Sequence, residues 1–268
     1  MQLQQYKTTL MGILNVTPDS FFDGGKHFDK LEYTIAQVKQ MVIDGADIID
    51  IGGESSRPGA EPVSIEEELR RVIPIIEALA KEITAPISID TYKPQVAKTA
   101  LQAGAKMLND ITGFKNPDMI AVAAEFQVPV VVMHMQGEPK SMQENPTYTN
   151  VIEDIKNFFV ERIQALKAAG VKDIILDPGI GFGKTLEHNL NILKHLEEFT
   201  TLGCPILVGP SRKSFIGKIT GLPVEERLEG TLGAVAVSVM NGASIVRVHD
   251  VKACRRVLDI VDAIKTVK

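Results

Sequence analysis

The residues best suited to chemistry stand at the ends of a series of short apolar runs. Eight such runs can be counted along the 268 residues, and the polar groups at or just after their ends are Asn15, Glu54, Asp90, Asn109 with Asp110, His134, Asp177, Ser211 to Lys213, and Arg247 with His249. One aspartate after a strand is often only a helix cap or a turn residue. A polar group at the end of every run is harder to explain that way, and it predicts one shared site.

These residues combine acceptors with cations. Asp90, Asn109 and Asp177 offer acceptors that suit a planar heterocycle with several N–H donors, such as an amino-pyrimidine. The donors and cations come from the last two runs, at Lys213, Arg247 and His249. Side chains two positions apart in a strand point the same way. Arg247 and His249 are therefore predicted to bind one anion together, such as phosphate.

The runs themselves predict one barrel. They are rich in Ile and Val without alternation, which is typical of parallel strands buried on both faces. Between Asn15 and His249 they recur about every 33 residues, close to the length of one βαβ unit. The sequence therefore predicts α/β structure, a single (β/α)8 TIM barrel over residues 1–268, with its site at the C-terminal ends of the strands. An open doubly wound sheet is the alternative, although the first run lacks the glycine-rich turn typical of that fold.

Helical patterns lie between the runs. Leu31, Ile35, Val38, Met41 and Val42 form one apolar stripe, and Ser64 with Glu67 forms a capping-box pattern before a second. Further helices are predicted at about 94–103, 117–126, 150–169, 187–199, 225–241 and 252–265.

Three loops stand out at the predicted site. The segments 15–25 and 52–62 are rich in glycine and proline, which favours two loops that close over a ligand. The segment D177-P-G-I-G-F-G-K-T185 ends like a phosphate loop, but Pro178 stands where that motif needs glycine, so an NTPase is not supported. Its glycines can still bring the backbone close to a flat ligand.

Composition and charge exclude several classes. The net charge is −5, which argues against a nucleic-acid or anionic-membrane partner. No run approaches the roughly 20 apolar residues of a membrane span, and the first residues lack a signal-peptide pattern. Cys204 and Cys254 show no metal or disulfide spacing and are predicted to be buried free thiols. We therefore expect a cytoplasmic protein. The five histidines show no zinc spacing, while a magnesium ion held mainly by phosphate and water, with one oxygen from Asn15, is compatible with the sequence.

At this point a family resemblance is visible. The motifs are G12-I-L-N-V-T-P-D-S-F21, D50-I-G-G-E-S-S-R-P-G59, S88-I-D-T-Y-K93, N109-D-I, M133-H-M, D177-P-G-I-G-F-G183, G209-P-S-R-K-S214 and R247-V-H249. In this order they resemble the dihydropteroate synthases, pterin-binding barrels of folate biosynthesis and targets of sulfonamides. The resemblance implies a magnesium-dependent, homodimeric transferase. Such an enzyme joins p-aminobenzoate to 6-hydroxymethyl-7,8-dihydropterin diphosphate and releases 7,8-dihydropteroate and diphosphate.

The resemblance also implies roles for single residues. The pterin site would comprise Asp90, Asn109, Met133, Asp177, Phe182 and Lys213. Diphosphate would contact Ser56, Arg247 and His249, and magnesium would bind Asn15. The p-aminobenzoate site would comprise Phe21, Arg57, Pro58 and Ser214, with Asp19 nearby. Asp19, Lys213, Arg247 and His249 would be the catalytic groups, acting on a dissociative loss of diphosphate.

Two positions depart from the family pattern, and some alternatives stay open. Ser56 stands where threonine is usual, which keeps the hydroxyl, and Phe22 stands where serine is usual. A pterin-dependent corrinoid methyltransferase barrel would share the Asp/Asn set but would not need the cations, and a non-catalytic barrel would have lost site residues. The last helices carry a set of apolar residues that could form a dimer interface or the barrel's own core, namely Val235, Val239, Val257, Ile260 and Ile264.

Overall fold

Eight parallel strands form one sheet that closes on itself in the computed structural model, which describes residues 7–16, 27–55, 61–138 and 140–267. The strands are β1 (Thr9–Asn15), β2 (Ile48–Gly52), β3 (Ile87–Asp90), β4 (Met107–Asp110), β5 (Val130–Met133), β6 (Ile174–Asp177), β7 (Leu207–Val208) and β8 (Ile245–Val248). Their order is β6-β5-β4-β3-β2-β1-β8-β7. A parallel bridge between Leu176 and Ile206 joins the two ends of this order. The predicted barrel is confirmed, and the open sheet is not formed.

Helices follow the strands and surround the sheet. In the described part of the chain they are α1 (His27–Ile43), α2 (Ile65–Glu82), α3 (Pro94–Ala103), α4 (Pro117–Phe126), α5 (Val151–Ala168), α6 (Leu186–Lys194), α7 (Glu197–Thr200), α8 (Ser214–Thr220), α9 (Leu228–Met240) and α10 (Val251–Thr266). Local sequence explains several starts. The Ser64 side chain accepts a hydrogen bond from the backbone N–H of Glu67, as the capping pattern predicts. Pro94 and Pro117 occupy the first helical position, where a missing N–H is harmless.

A layer of apolar side chains fills the barrel interior below the strand ends. It consists of Met11, Ile48, Met107, Val131, Ile175, Leu207 and Ile245, all buried. Strand residues of the opposite parity, such as Ile49 and Leu108, pack in the larger core that the helices cover. The interior is therefore closed by this layer, and any ligand must enter from one end.

The next interior positions along the strands are mostly polar. Two residues beyond the apolar layer stand Asp50 on β2, Asn109 on β4, Asp177 on β6 and Arg247 on β8. Because side chains alternate with a period of two, these groups face the same interior as the layer beneath them. The change from apolar to polar within one step on these four strands defines the C-terminal end of the barrel as the candidate site.

Candidate active site

Arg247 connects three strands across the barrel interior. Its Nε donates to Asp50 Oδ2 at 2.6 Å, and its Nη2 donates to Asp90 Oδ2 at 2.7 Å. Asp50 Oδ2 also accepts a hydrogen bond from Asn109 Nδ2 at 3.0 Å. This network brings together three residues that the sequence predicts for the site, namely Asp90, Asn109 and Arg247.

The network contains two carboxyl groups, those of Asp50 and Asp90, and one guanidinium, that of Arg247. Burial raises the pKa of Asp90 to about 7, with a further contribution from nearby Asp50 and an opposing one from Arg247. Asp50 Oδ1 is buried and has no hydrogen-bond partner among the described residues. Two carboxylates thus share one guanidinium, and the group can accept hydrogen bonds from a ligand that is rich in N–H donors.

A second group of site residues forms where β6 ends. The Asp177 carboxylate accepts the backbone N–H of Gly179 at 2.8 Å, which fixes the turn that follows. Burial raises the pKa of Asp177, while the charge of Lys213 opposes the shift. Lys213 donates from Nζ to the carbonyl of Ile180, and this Nζ lies 4.6 Å from the centre of the Phe182 ring. Burial lowers the pKa of Lys213 to about 8, against the effect of Asp177.

The apolar wall of the site comes from β5 and its neighbours. Met133 is buried in a cluster with Ile111, Met135 and Met142, and Tyr92 and Phe182 pack against it. Met133 and Phe182 therefore belong to one apolar group. Flexible methionine side chains against an aromatic ring suit a flat ligand that inserts between them.

The end of β8 meets the loop after β7. Ser211 Oγ lies 3.0 Å from Nδ1 of His249 and accepts the His249 backbone N–H at 3.2 Å. Both His249 and Ser214, the first residue of α8, are exposed. Asn15 ends β1 with an exposed side chain. Each is open to a ligand that arrives at the barrel mouth.

Three of the polar strand-end residues have structural partners instead. Glu54 accepts hydrogen bonds from Lys93 Nζ at 2.6 Å and Tyr92 OH at 2.8 Å. Burial would raise the pKa of Glu54, but these bonds and one from the backbone N–H of Val63 hold it below its ordinary value. Lys93 also donates to Glu68 at 2.6 Å, so this group braces the ends of β2 and β3.

Asp110 and His134 also serve the framework. Asp110 accepts from the backbone N–H groups of Thr112 and Phe114 at 2.7 and 2.9 Å, so it caps a turn, as an aspartate after a strand often does. His134 is buried, and its Nδ1 lies 3.1 Å from Nζ of Lys184. Neither residue belongs to the predicted pterin, diphosphate or p-aminobenzoate sets.

The described residues cover most of the predicted site. Five predicted residues, Asp19, Phe21, Ser56, Arg57 and Pro58, lie outside them. Asp50 is a site residue that the sequence reasoning missed. It stands inside β2, not at its end, and the only signal was an acidic residue within an otherwise apolar strand.

Comparison with known proteins now places the chain. Residues 11–249 match the family described as pterin binding enzyme. The dihydropteroate synthase of Synechocystis sp. is 51% identical over 96% of this chain and 90% of its own. The crystal structure of the Yersinia pestis dihydropteroate synthase with a sulfonamide drug superimposes with a TM-score of 0.94 at 44% identity, covering 100% of this chain and 98% of that one.

A third relative carries the product. The dihydropteroate synthase of Xanthomonas albilineans in complex with 7,8-dihydropteroate has a TM-score of 0.88 at 40% identity, covering 100% of this chain and 97% of that one. The chain therefore belongs to the pterin binding enzyme family and, within it, to the dihydropteroate synthases. It is a transferase. Within the described residues, no helix is both long and apolar enough to cross a membrane.

Proposed function

We propose that the protein condenses 6-hydroxymethyl-7,8-dihydropterin diphosphate with p-aminobenzoate to give 7,8-dihydropteroate and diphosphate. The observation that carries the proposal is the meeting of buried acceptors and cations at one barrel mouth, where Asp90, Asn109 and Asp177 lie with Lys213 and Arg247. The Xanthomonas relative, which binds 7,8-dihydropteroate, supports the same chemistry.

The pterin would enter the polar interior with the edge that carries its N–H groups first. Its ring carries adjacent N–H donors, which the carboxylate of Asp177 can accept together. Asn109 has both an acceptor and a donor to offer, while Lys213 can donate to a ring oxygen or nitrogen. Phe182 and Met133 would cover the ring faces. Binding therefore selects a donor-rich heterocycle, because any other ring would leave buried polar groups unpaired.

Diphosphate would lie at the mouth, above this ring. His249 is exposed there beside Ser211, and Ser56 would add a hydroxyl. Arg247 uses Nε and Nη2 for Asp50 and Asp90, so its contribution to the anion is its charge and the remaining Nη1 group. These groups would stabilise the negative charge that grows as diphosphate leaves.

The reaction would proceed by early loss of diphosphate. The bond between the pterin methylene carbon and the diphosphate oxygen breaks, and its electron pair stays on the oxygen. The electron-rich dihydropterin ring delocalises the resulting cation, which Asp19 would stabilise. The amine nitrogen of p-aminobenzoate, which Phe21, Arg57, Pro58 and Ser214 would hold, then bonds to the carbon and gives up a proton to water. Because the aromatic amine is already nucleophilic, positioning matters more than a strong base.

Magnesium fits the donors that the site offers. The described residues contain no group of three or more His, Cys, Asp or Glu side chains that could hold a metal ion. Asn15 can supply one amide oxygen at the mouth, with the other ligands coming from diphosphate and water, an arrangement that magnesium prefers. Bound there, the ion would neutralise part of the diphosphate charge.

We also propose a homodimer that forms through α9 and α10. Val235 and Val239 belong to the barrel core, whereas Ile260 and Ile264 are 63% and 56% exposed. Val237 and Met240 on α9 are also exposed. The apolar residues that the sequence left open thus divide between core and surface, and the surface group offers an apolar patch for a second copy. A cytoplasmic location stays a prediction.

The proposal is tested by offering the purified protein two substrate pairs. With dihydropterin diphosphate, p-aminobenzoate and magnesium, we expect 7,8-dihydropteroate to form catalytically. With methyltetrahydrofolate and a corrinoid protein, we expect no methyl transfer. Methyl transfer without condensation would assign the chain to the corrinoid methyltransferases, and no reaction in either mixture would indicate a non-catalytic barrel.

A further inference from the structure

Lys184 is a buried lysine that the proposed mechanism does not use. It is the lysine of the segment that resembles a phosphate loop, and it is only 2% exposed. Its Nζ contacts the carbonyl of Phe182 at 2.9 Å, the carbonyl of His134 at 3.2 Å and Nδ1 of His134 at 3.1 Å. Three partners match the three donors of an ammonium group.

The turn that precedes Lys184 packs against the residues that follow β5. Gly179 and Gly183 both have positive φ angles, of 69° and 60°. A Cβ on Gly179 would lie 2.0 Å from the carbonyl oxygen of His134, and a Cβ on Gly183 would lie 2.3 Å from that of Gln136. The backbone of the turn can approach so closely only because both residues are glycine. Lys184 then bonds the turn to β5 through the carbonyls of Phe182 and His134.

Charges around Lys184 connect it to the site. Burial lowers its pKa to about 7, Asp177 opposes this shift, and Lys213 adds to it. In the other direction, both lysines lower the pKa of Asp177 against the effect of burial. His134 has its pKa lowered to about 2, chiefly by burial, so this ring is neutral. With its proton on Nε2, the ring accepts a hydrogen bond from the ammonium at Nδ1. Exposed Lys115 also acts on His134 from the outside.

We propose that Lys184 is a positioning residue of the pterin site, which fixes the turn carrying Phe182 and holds a positive charge near the Asp177 carboxylate that accepts the pterin N–H groups. The proposal deepens the proposed function and rests on it. Lys184 acts on the ligand only through Phe182 and Asp177, and its positive charge adds to that of Lys213.

The charge of Lys184 gives the proposal a measurable signature. Asp177 must be a carboxylate to accept N–H donors, so pterin affinity falls on the acid side as Asp177 gains a proton. Lys184 is itself protonated below about pH 7, so its positive charge acts on Asp177 in this range of pH. Removing that charge raises the pKa of Asp177, so the acid limb of the pH profile, where pterin affinity falls, moves to higher pH.

The test measures the affinity of 6-hydroxymethylpterin by calorimetry between about pH 5 and 8. K184Q keeps hydrogen-bond donors but loses the charge, K184R keeps the charge, and K115Q removes an exposed lysine near the same histidine. We expect the acid limb to shift upward in K184Q and to stay at the wild-type position in K184R and K115Q. Thermal unfolding of each variant, measured alongside, separates the shift from a general loss of structure.

The outcomes distinguish this inference from the function it rests on. A wild-type protein that binds no pterin overturns the proposed function. Wild-type binding with an unshifted acid limb in K184Q overturns the role of Lys184, even if overall affinity falls. If K184Q does not fold, K184M takes its place, and a shifted limb in K184R contradicts the proposal by itself.

Discussion

At the scale of single residues, the site depends on carboxyl groups that are buried inside the barrel and outnumber the cations beside them. Arg247 binds Asp50 and Asp90 at once, and Lys213 offsets Asp177. Buried charges are tolerated only where partners and hydrogen bonds compensate for the lost water. The remaining acceptor capacity is what a pterin would satisfy, so binding and stability are set by the same side chains.

The first prediction concerns Asp177. D177N keeps the size of the side chain but turns one acceptor oxygen into a donor. A hydrogen bond to a charged group is worth about 1.5–3 kcal/mol, so we expect pterin affinity to fall roughly 10- to 150-fold. Calorimetry with 6-hydroxymethylpterin measures this. D173N, an exposed change just before the same strand, is the control and should bind normally. Unchanged affinity in D177N would remove Asp177 from the site.

The second prediction concerns Asp50. D50N leaves Arg247 with one full carboxylate partner instead of two, and we expect it to lower the free energy of unfolding by about 1–3 kcal/mol. Urea denaturation measures the loss, again with D173N as control. Pterin affinity should fall as well, because Asn109 and Arg247 lose a shared acceptor. A D50N protein with wild-type stability and binding would contradict the network as described.

The third prediction is a pH dependence. Asp90 has an ordinary pKa of 3.8 and a folded value of about 7, so the folded protein holds its proton more tightly than the unfolded chain does. Its contribution to stability is present below pH 3.8 and is lost as pH rises towards 7. The unfolding free energy of the wild type minus that of D90N should therefore decrease between about pH 4 and 7. A difference that grows with pH over this range would show that Asp90 is ionised more easily than burial suggests.

At the scale of elements, the sequence predicted strands better than it predicted helix ends. The predicted helix at 187–199 is two helices, α6 and α7, because the backbone leaves the helical region at His195, whose Nδ1 lies 2.7 Å from Oδ1 of Asn191. The buried spacing of Leu193, Leu196 and Phe199 continues across the break, so periodicity alone could not reveal it. Helix α8 was not predicted, since its seven residues are too few for a clear pattern.

Asp50 shows a different limit of sequence reasoning. When a strand is buried on both faces, its residues do not alternate between apolar and polar, and the sequence does not say which face is the barrel interior. Only the register fixes the parity, with Ile48 opposite Met11 in the interior layer and Asp50 one step above. Strand-end residues such as Asp90 and Asp177 needed no such knowledge, and they were found.

The fourth prediction tests the turn after β6. G179A places a methyl group 2.0 Å from the carbonyl of His134, at a φ of 69°. G203A has nearly the same φ, 72°, with no atom within 4 Å of the new Cβ. We expect G203A to lose only the roughly 1–2 kcal/mol of a left-handed alanine, and G179A to lose clearly more, together with pterin affinity. Equal losses in urea denaturation would show that the contact with β5 does not hold the turn.

At the scale of the whole molecule, the residues that stabilise the barrel interior and the residues of the site lie at different levels along the barrel axis. The apolar layer closes the interior, and the polar layer above it meets the mouth where His249, Ser214 and Asn15 are exposed. The helices carry the remaining core on the outside. The exposed apolar patch on α9 and α10 lies in the helical layer, so association of two copies need not disturb the site.

The fifth prediction tests that association. I260D with I264D places two charges in the patch on α10, and we expect the dimer to dissociate because buried unpaired charge is costly. Sedimentation velocity measures the mass. I43D, at an even more exposed isoleucine on α1, is the control and should leave the mass unchanged. A dimer that survives the double change would place the interface elsewhere.

The proposed function requires the site to couple departure of diphosphate to capture of the cation by p-aminobenzoate. The most direct measurement follows diphosphate release from dihydropterin diphosphate with and without p-aminobenzoate, together with the amount of 7,8-dihydropteroate formed. We expect sustained release only when p-aminobenzoate is present, one diphosphate for each dihydropteroate, and little release by D177N. Sustained release without p-aminobenzoate, or release that exceeds dihydropteroate formation, would contradict it.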